Sequence, residues 1–258
     1  FLKDQDLAMK TFGGSAGQTI AGAISTGSHG SAPGFGAIHD CVVGLHIITG
    51  QGTHVYLERL SYPVVSDGFI WTLGSHFIRN HDFFNAVLVS LGAFGIIHGV
   101  MIETEPISVL EAHRNKLQID PALKNLFSSL DFINSRLLPR EKENPFYFHV
   151  FFEPRNNIKD AWITTMYKLP YTKLTEIAKR SIGVAGPGDD IPAILATQDM
   201  TTSVKLGLKN VQGTGADYFN NIAVRKGTIA TAIGIPLEHV GQIHDILLQL
   251  YQSTNEFN

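Results

Sequence analysis

Residues 11 to 37 hold the densest group of residues able to do chemistry in this sequence. Eight glycines, at 13, 14, 17, 22, 27, 30, 34 and 36, are interleaved with serine, threonine and alanine. A glycine lacks a Cβ, so another group can approach its backbone closely, and several N–H donors can converge on an anionic oxygen. Ser25, Thr26, Ser28 and Ser31 add hydroxyl donors to the same stretch. The chemistry indicated is the cradling of a dinucleotide pyrophosphate. A glycine-rich turn packed on a sheet, without a ligand, has the same composition, and composition does not separate the two. His29 stands between Ser28 and Gly30. It either donates to a cofactor oxygen or braces the loop through a backbone carbonyl.

Other signatures are weaker or missing. No G-x-G-x-x-G and no G-x-x-x-x-G-K-[ST] is present, so neither a Rossmann unit nor a P-loop is supported. Gly13-Gly14-Ser15-Ala16-Gly17 fits G-x-S-x-G, the nucleophile elbow of hydrolases. That elbow needs a hydrophobic strand before it and a helix after it, and Ala8-Met9-Lys10-Thr11-Phe12 and the glycine-rich continuation supply neither. Eleven histidines invite a metal reading. His76 and His81 lie near Asp82, and His239 and His244 are five apart, off the i,i+4 spacing that would place both on one helical face. With no H-E-x-x-H and no cysteine pair, the histidines read as scattered and no metal site is expected. The aromatic run Phe146 to Glu153 offers His149 and Glu153 as acid–base groups if they face a cavity; otherwise it packs a core.

The elements that must position these residues follow from periodicity. Each glycine costs a helix about 1 kcal/mol against alanine, so the glycine-rich stretch is expected to be a closely packed loop, anchored by Ile20, Ile24, Phe35 and Ile38. Strands are expected over Cys41 to Thr49 and Thr53 to Leu57, joined by Gly50-Gln51-Gly52, with both faces of the first strand covered. Asp82 is the expected N-cap of a helix from Phe83 to Leu91 that stops at Gly92. Ile96 to Thr104 reads as a strand closed by Pro106. Asp120-Pro121 starts a helix carrying Leu123, Leu126, Phe127, Leu130, Ile133 and Leu137. Phe146 to Phe152 and Ala161 to Leu169 read as strands. Gly183 to Gly215 has a weak pattern, Thr228 to Ile235 reads as a strand, and Pro236 opens a last helix with Leu237, Val240, Ile243, Leu247 and Leu250 on one face. The expected fold class is α+β: a glycine-rich, β-dominated region over 1-110, and a sheet with packed helices over 111-258.

Composition bounds the function. With 258 residues, 44% hydrophobic and 17% charged, the chain has enough material for a core and is not of disordered composition. A net charge of -3 without a Lys/Arg cluster gives no support to a nucleic-acid partner. The apolar window Val87 to Ile102 is short for a membrane span and is interrupted by Ser90, Gly92, Gly95, His98 and Gly99. The single cysteine, Cys41, fits a reducing compartment, and a cytoplasmic location is the expectation. No signal peptide is visible, and a chain opening on Phe1 inside a glycine-rich domain is expected to be a fragment.

The segment Gln18-Thr19-Ile20-Ala21-Gly22-Ala23-Ile24-Ser25-Thr26-Gly27-Ser28-His29-Gly30-Ser31 resembles the Q-T-I-G-G-A-I-S-T-G-T-H-G run of sugar-lactone and alditol oxidases. These belong to the vanillyl-alcohol oxidase/p-cresol methylhydroxylase flavoproteins. Asp40-Cys41-Val42-Val43 with Gly50-Gln51-Gly52 matches in order, as do Asp82 to Val87 and Ser90 to Ile97; Ile233 to His239 resembles a strand-to-helix step of the cap domain more faintly. The resemblance implies the second lobe of an FAD-binding domain followed by a partial substrate-covering cap. It implies FAD contacts from Thr19, Gly22, Ile24, Ser25, Gly27, Ser28, His29, Gly30 and Ser31, with Ile96 and Ile97 at the adenine end. It further implies oxidation of a CH–OH group in a small-molecule sugar lactone, polyol or other alcohol, by hydride transfer to flavin. A flavin dehydrogenase or reductase using another acceptor, or a non-catalytic fragment that retains no flavin, stays open. The family's R-G-x-x-H lobe and its late active-site residues have no counterpart here. Cys41 does not sit where cysteinyl-flavin relatives place theirs, and Phe94 replaces the usual leucine.

Overall fold

The computed structural model describes residues 1–13, 17–153, 157–171, 208–219 and 233–255. The chain divides into two compact units, with the main boundary between Ile107 and Ser108; the short segment Ser31–Gly34 belongs with the second.

The first unit is built on a four-stranded sheet in the order β4-β3-β2-β5. Its strands are β2 (Val42–Gly50), β3 (Thr53–Glu58), β4 (His76–Arg79) and β5 (Ile96–Ile102). β2 pairs antiparallel with β3 and β5, and β3 pairs parallel with β4. β2 is central, and its alternation sends Leu45 and Ile47 into a core with Ile24, Leu57, Phe84 and Val87. Gly44, His46 and Ile48 point to the opposite face, where Tyr56 lies edge-on to Phe69 at 5.8 Å. Both faces of β2 are covered from Val42 to Ile47, as its sequence implies. Two helices supply the core side, α1 (Ile20–Ser25) and α3 (His81–Leu88), while α2 (Asp67–Leu73) carries Phe69. A small ribbon of β1 (Leu7–Met9) and β6 (Thr104–Pro106) completes the unit.

The second unit carries an antiparallel sheet in the order β10-β7-β9-β8. Its strands are β7 (Ser108–Gln118), β8 (Tyr147–Glu153), β9 (Asn157–Pro170) and β10 (Leu208–Thr214). One sheet face presents Leu117, Phe148, Val150, Ala161 and Ile163 to Leu123, Leu126 and Phe127 of helix α4 (Pro121–Ser129). The chain then forms α5 (Gly215–Phe219) and, beyond a 3-10 turn at Leu237–His239, α6 (Val240–Asn255). α6 crosses α4 closely. The Ser128 hydroxyl accepts from the Gly241 amide at 2.9 Å, and Lys124 Nζ lies 2.7 Å from Asp245 Oδ1. The α+β fold class expected from the sequence is what the structure holds.

Several elements differ from expectation, each for a local reason. The stretch expected to avoid helix forms α1, because the Thr19 hydroxyl caps it by accepting from Gly22 N and because Ala23 and Ile24 are buried. α3 starts two residues earlier than expected, at His81. Asn80, not Asp82, is its N-cap, with Oδ1 accepting from Phe83 N at 2.8 Å. α4 stops at Ser129 instead of running to Leu137, because Leu130 turns into the left-handed region with φ of 50°. Pro106 does not close the expected strand; β5 ends at Ile102, and Pro106 is the last residue of β6, paired with Leu7 in the ribbon. The sequence pattern gives no counterpart for β1, α2, β4, β6, β7, β10 or α5. The strand expected over Thr228 to Ile235 lies largely outside the described residues, as does most of Gly183 to Gly215.

One buried charge organises the far side of the first unit. Glu58 is fully buried, takes Arg79 Nε at 2.5 Å, and accepts from the amides of Val64 and Val65 at 3.0 and 3.3 Å. It thereby fixes the chain between β3 and α2. Glu58→Ala strips these donors of their acceptor and is expected to lower unfolding free energy by about 3 kcal/mol. Urea denaturation checks this, and an unchanged midpoint would show that the ion pair contributes nothing net.

Candidate functional site

The glycine-rich stretch is a tied loop around α1. Beyond the helix the Thr26 hydroxyl donates to Gly22 O at 2.8 Å. Gly27 turns left-handed, at φ 68°, which lets Ser28 N return to Ala23 O at 2.9 Å. The Ser28 hydroxyl donates to Gln18 Oε1 at 3.0 Å, and its carbonyl accepts from Ile38 N at 3.0 Å. Ser25 O accepts from Leu91 N, which ties the loop to the segment after α3. The amides of Gly22, Ala23, Thr26, Gly27 and Ser28 are therefore all spent inside the protein. Convergent backbone donors, the chemistry first suggested by the glycines, are not offered at these positions.

The glycines have separate reasons. A Cβ on Gly30 would lie 2.2 Å from Phe12 O, so the group that approaches this backbone is the protein's own. A Cβ on Gly36 would collide with Asp40 Oδ2, which accepts from Ala37 N at 2.7 Å. Gly34 has nothing within 4 Å of a built Cβ, and Gly22 meets only the Thr19 hydroxyl, at 3.3 Å. At Gly34 the fold itself does not demand glycine.

The expected contact residues are not one surface. Thr19 and His29 are exposed, while Ile24 is fully buried in the core. His29 Nδ1 lies 3.1 Å from Gly30 O, which is the bracing contact; donating from Nδ1 leaves Nε2 as an acceptor in the neutral ring. Ile96 is 69% exposed at the start of β5, opposite Ile48, and Ile97 packs against the core. Ser31 belongs to the second unit, where its carbonyl accepts from Phe148 N at 2.9 Å.

In the second unit, Arg114, Thr164 and His149 form one row across β7, β9 and β8. Arg114 Nε donates to the Thr164 hydroxyl at 2.9 Å. Burial, reinforced by the Arg114 charge, lowers the His149 pKa to about 4, so its ring stays neutral. Its Nδ1 is buried with no hydrogen-bond partner. Arg114 is itself brought down to about 10 by burial. The side chain of Glu153, the other acid–base candidate, lies outside the described residues. Ser15 of the G-x-S-x-G match lies outside them too. Cys41 is buried, and desolvation raises its thiol pKa, which leaves it unreactive.

The histidines do not all scatter. His46 Nε2 lies 2.8 Å from His54 Nδ1, and His46 Nδ1 lies 3.1 Å from His98 Nδ1. A signal existed: the Gly50-Gln51-Gly52 turn pairs Ile48 with His54, which sets His54 diagonal to His46. Among the described residues no group of His, Cys, Asp or Glu is arranged to hold a metal ion, and no helix is long and apolar enough to cross a membrane.

No family model matches the chain. It is similar to several D-arabinono-1,4-lactone oxidases. That of Saccharomyces cerevisiae is 30% identical over 136 residues, covering 52% of this chain and 22% of the relative. That of Candida glabrata is 29% identical over 135 residues, covering 51% and 22%. That of Eremothecium gossypii is 26% identical over 179 residues, covering 67% and 30%. The chain thus spans less than a third of the curated relatives it matches. A solved VAO-type flavoprotein from Myceliophthora thermophila aligns at 14% identity with a TM-score of 0.36, covering 67% of this chain and 29% of that one. The resemblance to sugar-lactone oxidases read from the motifs is borne out by these relatives.

Two outcomes follow from this geometry. Gly30→Ala must displace Phe12 O and is expected to cost about 1–3 kcal/mol, whereas Gly34→Ala is neutral within about 0.5 kcal/mol. Paired denaturant titrations decide it, and equal losses would mean the loop is not packed as described. His149 has a folded pKa below its unfolded value. Its neutral form therefore stabilises the fold above about pH 6.5, and that stability drains as pH falls towards about pH 4. His149→Phe should flatten this acid limb in melting temperature against pH; an unaltered limb would assign it to other groups.

Proposed function

We propose that this chain carries part of an FAD-dependent oxidoreductase acting on the CH–OH group of a sugar lactone, with its cofactor held along the α1 loop. The observation that carries this reading is the similarity to D-arabinono-1,4-lactone oxidases. FAD, when bound, supplies the acceptor for a hydride leaving the carbinol carbon.

The residues present fit that group by side chain and by space. The exposed Thr19 and His29 offer an oxygen and an imidazole, and Ser25 adds a hydroxyl. At Gly22 a built Cβ would meet only the Thr19 hydroxyl, which lets a planar or phosphate-bearing group approach without displacing a side chain. Gly27 and Gly30 serve differently. They hold the turn that aims His29 outward, and contribute to a cofactor through that shape. Ile24 contributes only as the buried anchor of α1. Ile96 brings an exposed apolar side chain, suited to stacking on an adenine.

The purified chain is expected to be yellow, or to become so on adding FAD, with flavin absorption that co-elutes with protein. A protein that stays colourless at saturating FAD, while folded, would refute the cofactor reading for this chain and leave the flavin-free alternative. Gly27→Val is a poor probe, because φ of 68° strains any L side chain whatever the ligand. His29→Ala is the sharper one, since the ring is exposed. It is expected to weaken FAD binding about tenfold, as for loss of one hydrogen bond to a charged group, with only the small drop in melting temperature that losing the exposed Gly30 contact brings. Fluorescence quenching of titrated FAD measures this; equal affinity in the folded variant removes His29 from the site.

A further inference from the structure

The three-histidine chain on the outer face of the first unit's sheet plays no part in the reading above. His46 lies on β2, 9% exposed, with His54 on β3 and His98 on β5. The ring centroids of His54 and of His98 each lie 5.0 Å from that of His46, and both pairs meet edge to face. His98 reaches this face through a β-bulge. His46 pairs with Gly99 and Ile47 with Ile97, so His98 is the extra residue between them. The bulge also restores the alternation that sends Ile97, Val100 and Ile102 towards the core.

Both nitrogens of His46 are engaged, each with a different ring, so the three rings do not converge on a common point as ligands of one ion would. The contacts are N–H···N hydrogen bonds, and those obey a count. Three imidazoles have six ring nitrogens, and each N···N contact holds one proton: none leaves two lone pairs facing, and two leaves two N–H groups facing. The neutral chain satisfies both contacts with His54 Nδ1 donating to His46 Nε2 and His46 Nδ1 donating to His98 Nδ1. One further proton enters at the outer Nε2 of His54 and breaks nothing. A second must enter a contact that is already filled.

We propose that His54, His46 and His98 form a pH-responsive fastener, which holds the bulge of β5 in register at neutral pH and releases it when the chain takes up its second proton. The groups facing His46 are His54 and Tyr56 from β3 and His98 from β5. Glu58 and Arg79 stand further along the same face, paired with each other. No carboxylate is hydrogen-bonded to the chain among the described residues to favour the second charge. Desolvation and the two neighbouring imidazoles lower the His46 pKa in the same sense. Released, His98 would no longer hold Ile96 and Ile97 in register. On the cofactor reading above, that loosens the strand offered to the adenine end.

Backbone amide exchange on the chain without FAD tests the fastener independently of that reading. After correction for intrinsic rates, exchange at Ile97 to Val100 is expected to rise about tenfold or more between about pH 7 and about pH 4.5. His46→Asn, which removes both contacts, should give fast exchange with no pH step. His98→Gln, at an exposed position and so safe for folding, should shrink the step. Exchange that follows the intrinsic trend in the unaltered protein would overturn the proposal, as would an undiminished step in His98→Gln. Shifts of all three imidazole nitrogens on adding micromolar zinc chloride at neutral pH would also overturn it, marking a metal site instead. If FAD fails to bind while the exchange step persists, the fastener stands and the cofactor reading falls.

Discussion

The first unit depends on the position of β2 between two antiparallel neighbours. A strand paired on both edges and covered on both faces has no freedom of register, since a slip by one residue would exchange Leu45 and Ile47 with Gly44 and His46. Everything proposed to act is hung from that strand. The 3-10 turn Ile38–Cys41 leads directly into it, and Ile38 N is the donor that holds Ser28 O at the end of the glycine-rich loop. On the other edge, pairing with Ile48 places Ile96 where β5 begins. The loop and the strand end are thus set relative to each other by one sheet.

That arrangement explains why glycines were a partial guide. They do mark close approach, but at Gly30, Gly36 and Gly44 the approaching groups are Phe12 O, Asp40 and the Tyr56 hydroxyl. A sequence shows that a backbone must be approached; it does not show by what. Three-dimensional contact separates such positions from Gly34, where nothing in the protein comes near.

Much of the fold was legible where one face of an element is buried and its caps are local. The β2–β3 hairpin, the Asp120-Pro121 start of α4 and the aromatic strand β8 each carry their signal within a few residues. What was missed was set by partners distant in sequence. β1 and β6 exist because they pair with each other across about a hundred residues, and β10 because β7 offers an edge. α2 is different: Ser66 caps it by accepting from Phe69 N, and Gly74 ends it in the left-handed region, so its boundaries were local and readable. At the site, the loop and its exposed histidine were legible. The fate of its amides was not, because the acceptors are carbonyls brought round by the turn at Gly27. The histidine chain needed the hairpin register and a bulge, and only Gly99 beside His98 hinted at the latter.

A loop whose amides are already bonded is suited to a particular kind of binding. Free donors would suit an anion, but they would need water or a ligand to satisfy them and would leave the empty loop disordered. Here, capping by Thr19, the Thr26 hydroxyl, the turn at Gly27 and the return of Ser28 to Ala23 O order the segment before any partner arrives. The entropy of ordering the segment is met in folding, so a ligand meets a surface of fixed shape and need only match it. On the proposed cofactor reading, recognition rests on the groups left outward, Thr19 and the His29 ring, rather than on a nest of amides. On the same proposal, glycine-to-larger substitutions in the turn are expected to act first on folding, and changes to the outward side chains on binding.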